Sequence, residues 1–187
     1  MHMKNIKLFF VFLTISFCMA GCEDDAWGNG DPAMEHVYYF GFEDWGSNNN
    51  QVKFSVVEGE ILSIPVQFHS ERSRTYDVVV FYYAASTEGG PVRGTDYQIV
   101  DENGTELSPN ANGAFQMVWP KAEKGVKNIY VKALNGDAPD LVVWTFDPNS
   151  EIPISNQDVA STVNNKTGDY EVRAFSQNHR VTVEFEN

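Results

Sequence analysis

Few residues of this chain have types and spacing that suit chemistry. Trp45 stands in a polar segment beside Glu43, Asp44 and Asn48, with Asn49 and Asn50 following. An aromatic face flanked by carboxylates and amides is one way proteins hold sugars: the ring covers apolar C–H groups and the polar groups take the hydroxyls. Trp45, Glu43, Asp44 and Asn48 are therefore the candidate ligand platform. Trp119 and Trp144 lie in apolar runs and read as core. The adjacent pairs Tyr38, Tyr39 and Tyr82, Tyr83 each put one ring on either face of a strand. The histidines His2, His36, His69 and His179 show no metal-ligand spacing. No Gly-x-Ser-x-Gly, phosphate-loop or dinucleotide fingerprint occurs. Paired glycosidase acids cannot be recognised from abundance alone, so the 26 acids leave a hydrolase as an alternative rather than indicating one. The sequence predicts a non-catalytic chain.

Cysteine usage points to an address. Cys18 and Cys22 are the two cysteines, and both fall near the start. Lys4 and Lys7 form a basic region, residues 8–19 are almost uninterrupted apolar, and Met19, Ala20 and Gly21 lead into Cys22. That layout is a secretory signal, with an apolar run too short for a comfortable membrane span. Met19-Ala20-Gly21-Cys22 resembles the lipobox of bacterial lipoproteins. The resemblance implies that Cys22 is diacylated and becomes the mature first residue. Each buried methylene contributes about 0.8 kcal/mol, so two chains anchor firmly. Glu23-Asp24-Asp25 is similar to the acidic export signal of Bacteroidetes-type lipoproteins, which implies an outer-membrane protein facing the cell exterior. The expected organisation is a signal peptide at 1–21, a lipidated flexible tether at 22–34 and one domain at 35–187.

Removing residues 1–21 takes Lys4 and Lys7 and no acid, leaving 11 basic side chains against 26 acidic, a balance of −15. Such a surface repels phosphate backbones, which argues against a nucleic-acid partner. The mature body has no thiol, so it holds no disulfide and must rest on its apolar core.

The elements that position these residues are strands. Residues 36–42, 52–56, 62–69, 76–84, 94–100, 114–119, 127–134, 141–146, 170–174 and 181–185 alternate or run apolar, separated by loops rich in Gly, Asn, Asp and Pro. The run around Val80 is apolar on both parities and reads as the centre of a sheet. Pro65 cannot donate to a ladder, which predicts an edge strand or a bulge there. Residues 148–168 show no sustained period and have room for one helical turn. No segment keeps a helical period over three turns. The expectation is an all-β, immunoglobulin-like sandwich of seven to nine strands, with Val78, Val80, Val131 and Trp144 in its core.

Glu58-Gly59, the 78–82 run, Gly94-Thr95-Asp96-Tyr97 and the 127–131 run together resemble a Calx-beta domain over residues 52–140. The family has an immunoglobulin-like sandwich and can hold calcium between strand ends. By position the resemblance implies Glu58, Glu88, Asp137 and Asp140 as the metal set, with Asp96 capping a turn. Binding members run several acids together where this chain reads Asp137-Ala138-Pro139-Asp140-Leu141. Six to eight oxygens are needed around calcium, so the departure predicts absent or weak binding. The chain is also similar to small lipoproteins of polysaccharide-degrading bacteria. The functional expectation is a cell-surface module, anchored in the membrane by lipid, that binds a glycan or a partner protein of an uptake complex without a cofactor. The alternatives are a structural or assembly protein of the envelope and a Calx-beta-type calcium-binding domain.

Overall fold

The computed structural model describes residues 34–43, 50–85, 89–151 and 159–187. The chain divides into two units, Met1–Glu35 and His36–Asn187, and the second holds all the strands described below. These are β1 (Val37–Phe42), β2 (Lys53–Val57), β3 (Ile61–His69), β4 (Val78–Ala84), β5 (Tyr97–Val100), β6 (Ala114–Trp119), β7 (Gly125–Ala133), β8 (Leu141–Trp144), β9 (Val163–Lys166), β10 (Glu171–Ala174) and β11 (Arg180–Glu186). One sheet runs β5-β7-β3-β1-β10-β9 and the other β2-β11-β8-β4-β6. The fold is an all-β, immunoglobulin-like sandwich.

Alternation dictates which side chains meet between the sheets. Ile64, Val66 and Phe68 of β3 face Val78, Val80 and Tyr82 of β4 across one core that also takes Ile129, Val131, Leu141, Val143, Val181 and Val183. Phe68 stacks on Trp119 from the opposite sheet with centroids 5.1 Å apart. Burying a side chain of this size contributes about 1.5–3 kcal/mol.

Four expectations need correction. Among the described residues eleven strands form rather than seven to nine; besides the ten segments read from the sequence there is β9, inside the stretch that lacked a period. β4 is not the centre of its sheet but second from the edge, between β8 and β6. Val78, Val80 and Tyr82 are buried, and Val79 and Phe81 on its other face are half-buried. Trp144 is likewise half-buried: Val142 and Trp144 take the outer parity of β8 while Leu141 and Val143 fill the core. Pro65 lies in β3, which is flanked on both sides by β7 and β1. In an antiparallel ladder the N–H and C=O of one residue point to the same neighbour. The Pro65 carbonyl accepts the Glu43 amide at 3.0 Å, on the β1 side, just past the end of β1. The missing proline donor therefore falls where β1 has finished, and no ladder bond is lost.

One side of the sandwich is sewn shut by asparagines. β8 pairs with β4 only at Tyr83 and Ala84. Below that point Asn164 takes both backbone groups of Phe81, accepting its N–H at 2.9 Å and donating to its carbonyl at 2.7 Å, and reaches the Thr145 carbonyl at 2.7 Å. Asn165 donates to the Val79 carbonyl at 2.8 Å, and the Tyr170 hydroxyl accepts the Val79 N–H at 3.0 Å. These side chains satisfy buried backbone groups that a strand would otherwise pair.

Candidate functional site

The segment that carries Trp45 joins β1 in one sheet to β2 in the other. Trp45, Asp44 and Asn48 lie outside the described residues, as do Glu88 and Cys22; Glu43 and Asn50 bound the segment on either side. Both ends are tied to the turn between β10 and β11. On the incoming side the Phe42 amide donates to the Asn178 carbonyl at 3.3 Å, and the buried Asn178 side chain donates back to the Phe42 carbonyl. On the outgoing side Asn50 uses three groups. Its amide donates to the Gln177 carbonyl at 3.1 Å, its side-chain NH₂ to the Ser176 carbonyl at 3.2 Å, and its side-chain oxygen accepts the His179 amide at 2.7 Å. Asn50 has φ 67°, a left-handed conformation that asparagine tolerates better than most residues.

That turn is itself rigidly seated. Gly41 lets it approach: a Cβ there would stand 2.6 Å from Phe175 Cδ2 and 3.0 Å from the Asn178 carbonyl. Tyr39 stacks on Phe175 at 5.5 Å, and the edge of His69 meets Phe175 at 5.3 Å. His179 Nδ1 lies 2.9 Å from the Ser176 carbonyl, and burial lowers the pKa of its imidazole. Trp144 lies beside His179, packs under Arg180 with the guanidinium 5.3 Å from its ring, and donates its indole N–H to the Ala85 carbonyl at 3.2 Å. The described residues thus fix both ends of the Trp45 segment, at Phe42 and Asn50.

The acids implied by the Calx-beta likeness fall into different settings. Glu58 Oε2 accepts the Gly136 amide at 3.0 Å, and Asp137 Oδ1 accepts the Asn187 side-chain NH₂ at 2.7 Å. Gly136 has no room for a side chain, since a Cβ would collide with Asn187 Oδ1 and with the Glu186 carbonyl. Glu58 and Asp137 therefore meet around Gly136 and the end of β11, each with an oxygen already engaged. Asp140 acts elsewhere: the Lys53 ammonium is held above its ordinary pKa by Glu184 first, with Asp140 adding to the effect. Among the described residues no group of three or more His, Cys, Asp and Glu stands where it could hold a metal ion.

The Gly94–Tyr97 turn is a structural clamp. Gly94 has φ +83° and donates to the Tyr97 carbonyl at 2.7 Å. Asp96 Oδ2 accepts the Val92 amide at 2.7 Å and Oδ1 the Asn135 side chain at 2.8 Å, which hold its carboxyl below the usual range. The buried Tyr97 hydroxyl crosses from β5 to the Ala84 carbonyl at 3.1 Å. The reading of Asp96 as a turn cap agrees with these bonds. Sequence reasoning missed Asn50, Asn164, Asn165 and Asn178 as positioning residues. Asparagine in a loop carries no signal that tells a solvated amide from one pinned to a distant strand.

No family model matches the chain, and no curated protein matches it. Solved structures similar to it include the following two. The solution structure of CaCohA2 from Clostridium acetobutylicum is 12% identical, covers 80% of this chain and 92% of its own, and has a TM-score of 0.39. A crystal structure of a CaDoc0917–CaCohA2 complex is 11% identical, covers 80% and 98%, and has the same TM-score of 0.39. The class that the observed architecture defines is the all-β, immunoglobulin-like sandwich.

Proposed function

We propose that this chain is a non-catalytic surface lipoprotein that binds an extracellular ligand, a glycan or a partner protein of an uptake complex, through the segment around Trp45. The observation that carries this reading is the double tie of that segment to the β10–β11 turn through Phe42, Asn50 and Asn178. Fixed stems reduce the ordering entropy lost when a loop closes on a ligand, which favours affinity. In this proposal Cys22 carries the lipid, Glu23-Asp24-Asp25 directs the protein to the outer face of the outer membrane, and the fold is Calx-beta-like. The engagement of Asp96 within its own turn supports a structural part for that signature and leaves ligand contact to the loops.

A glycan array probed with the wild type and with Trp45→Ala tests the reading. Binding that disappears in the variant, at an unchanged melting temperature, supports it. A silent array, together with failure to retain any surface protein, favours the envelope spacer instead. Turnover of a glycan by the purified protein would remove both.

A further inference from the structure

On the side of the sandwich away from the asparagine seam, a notch of about 520 Å³ opens between β6, β7 and the turn after β5. Its floor is apolar, formed by Tyr82, Val100, Leu107, Met117 and Tyr130, and its rim carries Asp101 and Glu102.

Two strand edges with open backbone groups border this notch. The Val79 and Phe81 amides turn toward Tyr170 and Asn164, away from β6, so Val78, Val80 and Tyr82 are the β4 residues that bond to β6. Their partners Trp119, Met117 and Phe115 turn back to β4, and Ala114, Gln116 and Val118 face outward. Asn110 closes Ala114 with bonds of 2.8 and 3.0 Å, and Lys127 Nζ donates to the Val118 carbonyl. Among the described residues nothing bonds to the Gln116 N–H and C=O or to the Val118 N–H. On the other side, Ala133 exchanges bonds with Glu60 and Gly59, which turns the odd residues of β7 toward β3. β5 covers β7 only from Tyr130 onward, so the backbone of Val126 and Asn128 also faces outward, uncovered. The side chains of Val118 and Val126 are exposed beside this gap.

Open donors and acceptors two residues apart along a strand match another extended backbone, and an apolar floor suits its alternate side chains. Charge narrows the occupant. Lys127 is engaged by the Val118 carbonyl and the Trp119 ring, 5.0 Å away. Asp101 Oδ1 accepts the Asn103 and Thr105 amides at 2.9 and 2.8 Å, which lower its pKa and keep it charged. Glu184 and Glu171 have basic partners in Lys53, Lys166 and Arg173, whereas among the described residues neither Asp101 nor Glu102 is paired with a cation. We propose that this notch captures an extended, basic peptide strand of a partner protein, which pairs with β6 and brings a lysine or arginine to Asp101 and Glu102. The residues that line the notch include neither Glu43 nor Asn50, the described ends of the Trp45 segment.

The test uses fluorescein-labelled short peptides that alternate valine with lysine, valine with glutamate, or valine with lysine on an N-methylated backbone. Anisotropy should show binding of the first, strongest at low salt, with the other two weaker by about tenfold or more. Gln116→Pro removes only an outward N–H, a place where an edge strand accepts proline. It should weaken the first peptide about tenfold without changing the melting temperature. Saturating peptide should protect the Gln116 and Val118 amides from hydrogen exchange in the wild type, a readout that holds even if Gln116→Pro folds poorly. The proposal is overturned if none of the peptides binds, if the N-methylated peptide binds equally well, if protection falls elsewhere, or if a glycan rather than a peptide protects these amides.

Discussion

His179 gives the sandwich a pH dependence that can be followed at one residue. Its ring is buried against Ser176 and Trp144, and burial lowers its pKa below the ordinary 6.5. The unfolded chain then binds the proton more readily than the folded one, so stability rises with pH through this range. Stability should therefore fall as pH drops below 6.5 toward the folded value, and His179→Gln should flatten that slope in denaturant titrations between pH 7 and 5. Because the His179 amide donates to the Asn50 side-chain oxygen, acidification should also loosen the stem of the Trp45 segment. Strain sits at another residue. Lys121 and Ala122 have φ 53° and 51° in a short 3-10 turn. The Lys121 carbonyl accepts the Arg74 amide and its own amide donates to Asp77 Oδ1 at 2.9 Å, so the bend is held from outside. A left-handed non-glycine residue costs about 1–2 kcal/mol. Lys121→Gly should relieve part of this and raise the midpoint of urea unfolding, despite the added freedom of the unfolded chain.

At the scale of elements, the short β8 is the weak joint and β9 compensates for it. Asn164→Ala would leave the Phe81 N–H and C=O and the Thr145 carbonyl without that partner. Stranding buried backbone groups costs about 1–3 kcal/mol each where water cannot reach them. The expected loss is at the upper end of that range for the site as a whole, a drop in melting temperature of several degrees. Asn164→Asp keeps the acceptor for Phe81 N–H but sets a carboxylate oxygen against the Phe81 and Thr145 carbonyls, so it should melt no higher than alanine. Equal melts for all three would show that water replaces the amide and that the seam adds nothing. The β3–β7 ladder, by contrast, runs unbroken over eight pairs from Ile61 to Phe68, and Pro65 within it is harmless because of where β1 ends. A proline one residue further along, at Val66, would fall on the β7 side of the same strand and should prevent folding.

At the scale of the whole molecule, charge sets the behaviour. The net charge of −13 keeps copies apart and attracts cations, but among the described residues the acids of the Calx-beta likeness do not gather into one metal-holding group. Glu58 and Asp137 each commit an oxygen to Gly136 or Asn187, and Asp140 acts on Lys53. Thermal melts with millimolar calcium and with a chelator should nearly coincide, since a ligand shifts stability only when it binds the folded state. A rise of several degrees with calcium would restore the metal reading and bring in Glu88. Cys22→Ala should release the protein from the membrane fraction; a variant that still fractionates with membranes would end the lipid-anchor proposal.

The sequence alone determined what depends on neighbours along the chain. Period-two alternation and short apolar runs marked ten of the eleven described strands, and of the four core residues expected, Val78, Val80 and Val131 are buried, because apolar strand positions along the chain report which side chains need cover. Residues 94–100 read as one strand in sequence, whereas β5 begins at Tyr97 and residues 94–96 form the turn before it; Asp96 as a turn cap comes from the Calx-beta resemblance. Only the tertiary structure decided which strands became neighbours. It placed Pro65 inside a sheet, put Trp144 on an outer face, and made a strand of Val163–Lys166, whose Asn164 and Asn165 show no apolar period. It also joined Phe42 and Asn50 to one distant turn, so the stems of the candidate site were invisible in sequence. The physical reason is that a backbone donor must be satisfied by whatever the closed fold brings beside it, and the partner is chosen by packing far along the chain rather than by the residue that carries the donor.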